Sequence, residues 1–149
     1  MLELEEETTN ILGGKKLLGR TIHTGFDLDK IIKKGFSTSV LNYFKKLLDL
    51  SDNELSKNLG ISTKTLMRTR KTENKPSRLD PVTSDRLYRL ARIYAMASEV
   101  LGGINQAKKW LHSPQMGLNN RLPLDLISTE AGSQEVKDLL GRIEHGVFA

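Results

Sequence analysis

Apolar residues recur at spacings of three and four along most of this chain, and no segment alternates with a period of two. The pattern therefore predicts an all-α fold. Val40, Leu41, Phe44, Leu47 and Leu48 share a helical face over residues 39–48, and Leu55 and Leu59 share another just beyond it. A long helix opens at Asp80-Pro81, with Asp as cap and Pro at the first helical position, where its missing N–H costs nothing. It is carried by Leu87, Leu90, Ala91, Ile93, Tyr94, Ala97, Val100 and Leu101 and stopped by Gly102-Gly103. A shorter helix runs from about Asn105 to Leu111, with Trp110 as its core anchor and Pro114 as its stop. Residues 116–127 read as a loop entering a short helix at Pro123. A last helix from Ser133 to Glu144 buries Val136, Leu139, Leu140 and Ile143 before Gly146. At the other end, residues 1–10 read as acidic and frayed. Residues 11–36 form a small helical subdomain whose helix runs from Asp27 to Lys34 and ends at Gly35.

Residues 51–71 carry the most information. Ser51 caps a helix and Glu54, three positions on, closes a capping box. Gly60 supplies the left-handed residue at which that helix ends, and Ser62 caps the next one. The second helix buries Leu66 and turns Thr63, Lys64, Thr65, Arg68 and Arg70 outward, the arrangement of a DNA-reading helix-turn-helix. A plain helical hairpin has the same turn. The absence of acids between Lys64 and Lys71, where four basic residues stand beside hydroxyls, favours nucleic acid. The candidate DNA-binding set is Ser62, Thr63, Lys64, Thr65, Arg68, Arg70 and Lys71. Its basic members suit phosphates or guanine edges, and Thr63 and Thr65 suit bases or thymine methyls. Arg86, Arg89 and Arg92, three apart on the long helix, either extend this basic face or are simply solvated.

Charge sharpens the division of the chain. Six basic residues balance six acidic ones over residues 1–36, twelve face six over residues 37–97, and five face six over residues 98–149. The excess behind the net charge of +5 thus surrounds the reading helix, the footprint expected for phosphate contact. Three regions follow: an N-terminal helical segment (1–36), a helix-turn-helix DNA-binding domain (37–79) and a C-terminal helical domain (80–149). A lone headpiece seldom binds an operator tightly, so a homodimer reading half-sites about one helical turn apart is expected. The N-terminal segment and the long helix are its candidate surfaces.

The chain has no cysteine, which removes disulfides, thiolate nucleophiles and cysteine-held zinc. No apolar run approaches the roughly 20 residues needed to cross a bilayer. The start, Met-Leu-Glu-Leu-Glu-Glu-Glu, is acidic where a secretory signal is basic, so a cytoplasmic protein without membrane contact is expected. His23, His112 and His145 form no metal-ligand pattern, and no nucleophile elbow or phosphate loop occurs. Neither catalysis nor a cofactor is expected.

Several soft motifs occur in a specific order. They are the helix-turn-helix, the Asp85-Arg86-Leu87-Tyr88-Arg89-Leu90-Ala91-Arg92 opening of the long helix, Ala107-x-x-Trp110-Leu111, Pro114, Arg121-x-Pro123-Leu124-Asp125-Leu126-Ile127, and the ending Gly141-Arg142-Ile143-Glu144-His145-Gly146-Val147-Phe148-Ala149. In this order over residues 37–149 the chain resembles the Xre/MbcA/ParS-type antitoxins, specifically those that partner RES-domain toxins. Leu12-Gly13-Gly14 and Ile32-x-x-Gly35 extend the resemblance over all but the first ten residues or so.

The resemblance implies two jobs. The C-terminal region would bind a NAD-consuming RES-domain toxin and hinder its active site, with NAD the toxin's substrate and no cofactor of this chain. The helix-turn-helix would bring the antitoxin or its toxin complex, a hetero-oligomer, to the operator of its own operon as a repressor. The toxin-facing set so implied is Arg121, Pro123, Leu124, Asp125, Arg142, Glu144, His145, Gly146, Val147 and Phe148. Leu126 and Ile127 are better read as core. Phe148 either plugs a cleft in the toxin or folds back on the last helix. Two other readings compete: an ordinary helix-turn-helix repressor with an effector or dimerisation domain, and an interaction module that no longer binds DNA.

Overall fold

The computed structural model describes residues 2–71 and 77–146. Among them the regular structure is helical, with isolated bridges at Ser37–Arg78 and Gln115–Arg121 in place of any sheet, so the all-α expectation holds. The helices gather into two compact units, residues 1–91 and 92–149, divided within one long helix.

The first unit opens with α1 (Leu2–Ile11) and α2 (Gly14–Leu18). The expected fray of residues 1–10 is thus a helix. Thr8, Ile11 and Leu12 are buried at helical spacing, and the Thr8 hydroxyl donates to the Leu4 carbonyl at 2.6 Å. Of the glutamates that suggested fraying, Glu6 is exposed and Glu5 and Glu7 are half-buried, so the helix carries them beside its buried face. Next comes α3 (Gly25–Lys34), capped by Thr24 and Asp27 in a reciprocal box and ended by Gly35. The Asp27 carboxyl is held below its ordinary range chiefly by the His23 backbone amide, and further by the Thr24 amide and the Arg20 guanidinium, against the opposing effect of burial.

Helix α4 (Thr38–Leu47) buries Val40, Leu41 and Phe44 and supports α5 (Asp52–Leu59) and α6 (Thr63–Arg70), which bury Leu55, Leu59 and Leu66. The unit closes through α7 (Pro81–Leu101). Asp80 caps it, its carboxylate accepting from the Thr83 amide at 2.7 Å and the Thr83 hydroxyl at 3.1 Å. The Ser84 hydroxyl accepts the Phe36 amide at 2.9 Å in the interior, so α7 also pins the α3–α4 junction.

In the second unit α7 continues to Leu101, followed by α8 (Ile104–Leu111), a 3-10 turn (Met116–Leu118), α9 (Pro123–Leu126) and α10 (Glu130–Glu144). Ala107 and Leu111 are the buried residues of α8, while Trp110 is only half-buried beside a hollow edged by Leu101, Gln106, Lys109, Ser113 and Gln115. The anchor role expected of Trp110 falls to smaller side chains one turn apart. The helix ends at Leu111 as its pattern predicts, ahead of Pro114, with the His112 amide donating back to the Lys108 carbonyl. Helix α10 starts three residues earlier than its pattern suggests because the Thr129 hydroxyl caps the Gly132 amide at 3.0 Å. It buries Val136, Leu139 and Leu140, and Ile143 is half-exposed.

Candidate functional site

The turn between α5 and α6 is built by short-range bonds. The Glu54 amide donates to the Ser51 hydroxyl at 3.0 Å, and the Ser51 amide donates to Glu54 Oε1 at 2.9 Å. Gly60 adopts φ 68°, and its amide and that of Ile61 both return to the Ser56 carbonyl at 2.9 and 3.2 Å. The Ser56 hydroxyl closes the loop onto the Ile61 carbonyl. Ser62 then caps α6, its oxygen accepting from the Thr65 amide at 3.0 Å.

This frame decides what α6 shows to solvent. Leu66 points inward with no exposed surface, and Lys64, Thr65, Met67, Arg68 and Lys71 are exposed. Lys64, Arg68 and Lys71 form one stripe at spacings of four and three, with Met67 and Thr65 on its two sides. Among the described residues no ion pair neutralises these three cations, so the stripe keeps its field for an anionic partner. Thr63 is half-buried. The Ser62 hydroxyl donates to Thr65 Oγ1 at 2.9 Å. The side chain of Arg70 lies outside the described residues.

The three arginines of α7 separate into different roles. Arg89 pairs with Asp85 at 3.1 Å, Arg92 is exposed, and Arg86 Nη1 donates to the Leu59 carbonyl at 3.0 Å at the end of α5. Pattern reading found their spacing and missed the last of these bonds, because a helix-capping contact across 27 residues leaves no local signature. It also passed over Met67, whose position beside Lys64, Arg68 and Lys71 was legible in the spacing.

In the second unit, residues 115–121 close on themselves, the Gln115 amide donating to the Arg121 carbonyl at 3.1 Å. Asn119 and Asn120 make the turn at φ 56° and 60°, left-handed values asparagine tolerates better than most residues. Arg121 projects as an exposed side chain and Met116 is 85% exposed, a large apolar group that no sequence pattern singled out. A Cβ on Gly117 would stand 2.8 Å from the Leu139 side chain, which sets this turn against α10 one turn before Arg142. Pro123 and Leu124 are buried at the start of α9 while Asp125 is exposed. Leu126 and Ile127 are half-buried.

Arg142 is half-buried, and its Nε is shielded from solvent without a hydrogen-bond partner among the described residues. Glu144 and His145 are exposed, 3.9 Å apart, ahead of Gly146 at φ 72°. Val147 and Phe148 lie outside the described residues. The unit therefore gathers the 115–121 turn and the latter part of α10, two segments distant in sequence, onto one small scaffold. Among the described residues no cluster of three or more His, Asp or Glu stands ready for a metal ion, and no helix is long and apolar enough to cross a membrane.

Comparison with known proteins divides the chain in the same way. Residues 27–92 match the antitoxin Xre-like helix-turn-helix domain, and residues 96–146 match the antitoxin Xre/MbcA/ParS C-terminal toxin-binding domain. An antitoxin Xre of Yersinia enterocolitica is 35% identical over 133 residues, 89% of this chain and 88% of its own. Another, of Pseudomonas putida, is 29% identical over 121 residues, 81% of this chain and 73% of its own. Among solved structures, a chain of the M. tuberculosis MbcT–MbcA toxin–antitoxin complex is 27% identical, with a TM-score of 0.49, over 70% of this chain and 90% of that one. With a helix-turn-helix domain over residues 27–92 and a toxin-binding domain over residues 96–146, this chain belongs to the Xre antitoxins of the Xre/MbcA/ParS family.

Proposed function

We propose that this chain neutralises a RES-domain, NAD-consuming toxin through its second unit and represses the operon that encodes the pair through α6. The observation that carries the reading is the pairing of two surfaces. A stripe of cations with no ion pair among the described residues crowns a helix-turn-helix, and a toxin-binding domain follows it in the same chain.

On DNA, Lys64, Arg68, Arg70 and Lys71 meet phosphates or guanine edges. Thr63, Thr65 and the Ser62-capped start of α6 approach the bases. A bidentate arginine–guanine contact supplies roughly 1–3 kcal/mol of discrimination. Two copies of the chain reading paired half-sites give the operator affinity that one headpiece lacks. On the toxin, Arg121 and Asp125 flank the α9 start, whose buried Pro123 and Leu124 hold the backbone in place. Arg142, Glu144, His145 and Gly146 lead into Val147 and Phe148, which enter the toxin's cleft. The half-buried Arg142 offers its guanidinium to a carboxylate or carbonyl of the toxin.

The test is co-expression with the product of the adjacent gene, followed by tagged purification, a growth assay and a measurement of cellular NAD. A stable complex with restored growth and restored NAD is expected. If both proteins are soluble and neither complex nor rescue appears, the toxin reading is wrong and an ordinary repressor is left.

A further inference from the structure

We propose that Arg86 is a positioning residue for operator reading: by holding the Leu59 carbonyl it fixes the turn that aims α6, and it makes no phosphate contact of its own. The inference rests on the DNA-reading role proposed for α6 and names what sets the aim of that helix.

The last carbonyls of a helix have no partner within it and carry the negative end of its dipole, so a cation there both donates and compensates charge. At the end of α5 the cation comes from α7, with Arg86 Nη1 3.0 Å from the Leu59 oxygen. Gly60 is the next residue. A Cβ built on it collides with the Arg86 guanidinium, and its φ of 68° is already one that side chains with a β-carbon avoid. The turn needs glycine for its φ, and the closeness of the guanidinium shows how tightly Arg86 lies against it.

The far end of the lever is equally well held. Ser84, half a turn before Arg86 on α7, accepts the Phe36 amide in the interior, and Asp80 caps the first turn of the same helix. Arg86 therefore projects from a fixed base onto the last carbonyl of α5, beside Gly60 at the start of the turn into α6. Its neighbours on α7 do no such work: Arg89 is paired with Asp85 and Arg92 is exposed.

Arg86 is also partly open to solvent, so direct phosphate contact is the competing role, and the two roles separate experimentally. Removing a phosphate contact lowers the slope of log K against log salt by about one and weakens operator and random DNA alike. Removing a positioning contact spoils discrimination and leaves the slope unchanged.

The experiment uses the full chain as wild type, Arg86→Lys and Arg86→Gln. Binding to the DNA upstream of its own gene and to random duplex of equal length is measured across a salt series, with toxin binding and thermal melting as checks on folding. Arg86→Gln is expected to lose about tenfold in operator preference, the loss of one charge-assisted hydrogen bond, with random-DNA affinity and salt slope unchanged. Arg86→Lys, whose ammonium still reaches a carbonyl, recovers part of that preference. A slope lowered by about one with preference intact overturns the proposal in favour of phosphate contact. Unchanged preference in both variants overturns it outright. A wild-type chain that prefers its own upstream DNA no more than random duplex overturns the DNA reading and this proposal together.

Discussion

In the first unit the exposed helix α6 is framed by bonds that span three to five residues, with the Arg86–Leu59 bond added from α7, and its charges stand clear of any partner among the described residues. In the second unit the exposed groups sit on a turn and a helix end that are brought together by packing, through Gly117 against Leu139 and Gly132 against the Leu126 carbonyl. A surface for a repetitive polyanion, the role proposed for α6, needs a rigid helix and spare cations; local capping supplies the first, and Lys64, Arg68 and Lys71 the second. A surface made for one protein partner needs a particular shape, which here depends on contacts that local spacing does not reveal. The units should therefore fail separately and by different mechanisms.

The largest expected effect is on DNA. Replacing Lys64 and Arg68 together by alanine should weaken operator binding by about a hundredfold or more and lower the salt slope by about two, with toxin binding intact. Binding titrations at several salt concentrations check both numbers, and equal loss of DNA and toxin binding in a folded protein would break the comparison. Next comes Gly132→Ala. Its Cβ would land on the Leu126 carbonyl, a backbone atom, at the tight α9–α10 corner. A cost of about 3 kcal/mol is expected, read by calorimetry as a lowered transition, with neutralisation lost before operator binding.

Deleting Glu144 to Ala149 should weaken the toxin complex about tenfold without unfolding, since none of the described residues removed is buried. Calorimetric titration with the purified toxin checks this, and an unchanged affinity would move the contact to the 115–125 segment. The smallest effect is Ser51→Ala. It removes the hydroxyl that receives the Glu54 amide and should cost about 1 kcal/mol in denaturant unfolding, leaving the toxin-binding unit unaffected.

The same contrast explains what could be read from sequence. Ser51, Glu54, Gly60 and Ser62 carry their roles within a few positions of themselves, so the helix-turn-helix was legible to the residue. The start of α7 was legible through Asp80 and Pro81 for the same reason. Trp110 misled because size suggested an anchor, while the buried face of α8 is set by Ala107 and Leu111 one turn apart. The glutamates of residues 1–10 masked the Thr8, Ile11 and Leu12 face of α1. Met116 gave no signal because its exposure follows from a closed turn whose partners, Gln115 and Arg121, meet through backbone atoms. Arg86 was visible as a charge and invisible as a cap, since its partner lies on another helix.

The most direct test of the two-unit account is a growth assay in cells producing the toxin, with the antitoxin expressed from an unrelated promoter. The account predicts that the Lys64→Ala, Arg68→Ala chain restores growth as well as wild type, and that the chain lacking Glu144 to Ala149 does not. Rescue by the truncated chain with failure of the double substitution, both proteins being folded, would contradict it.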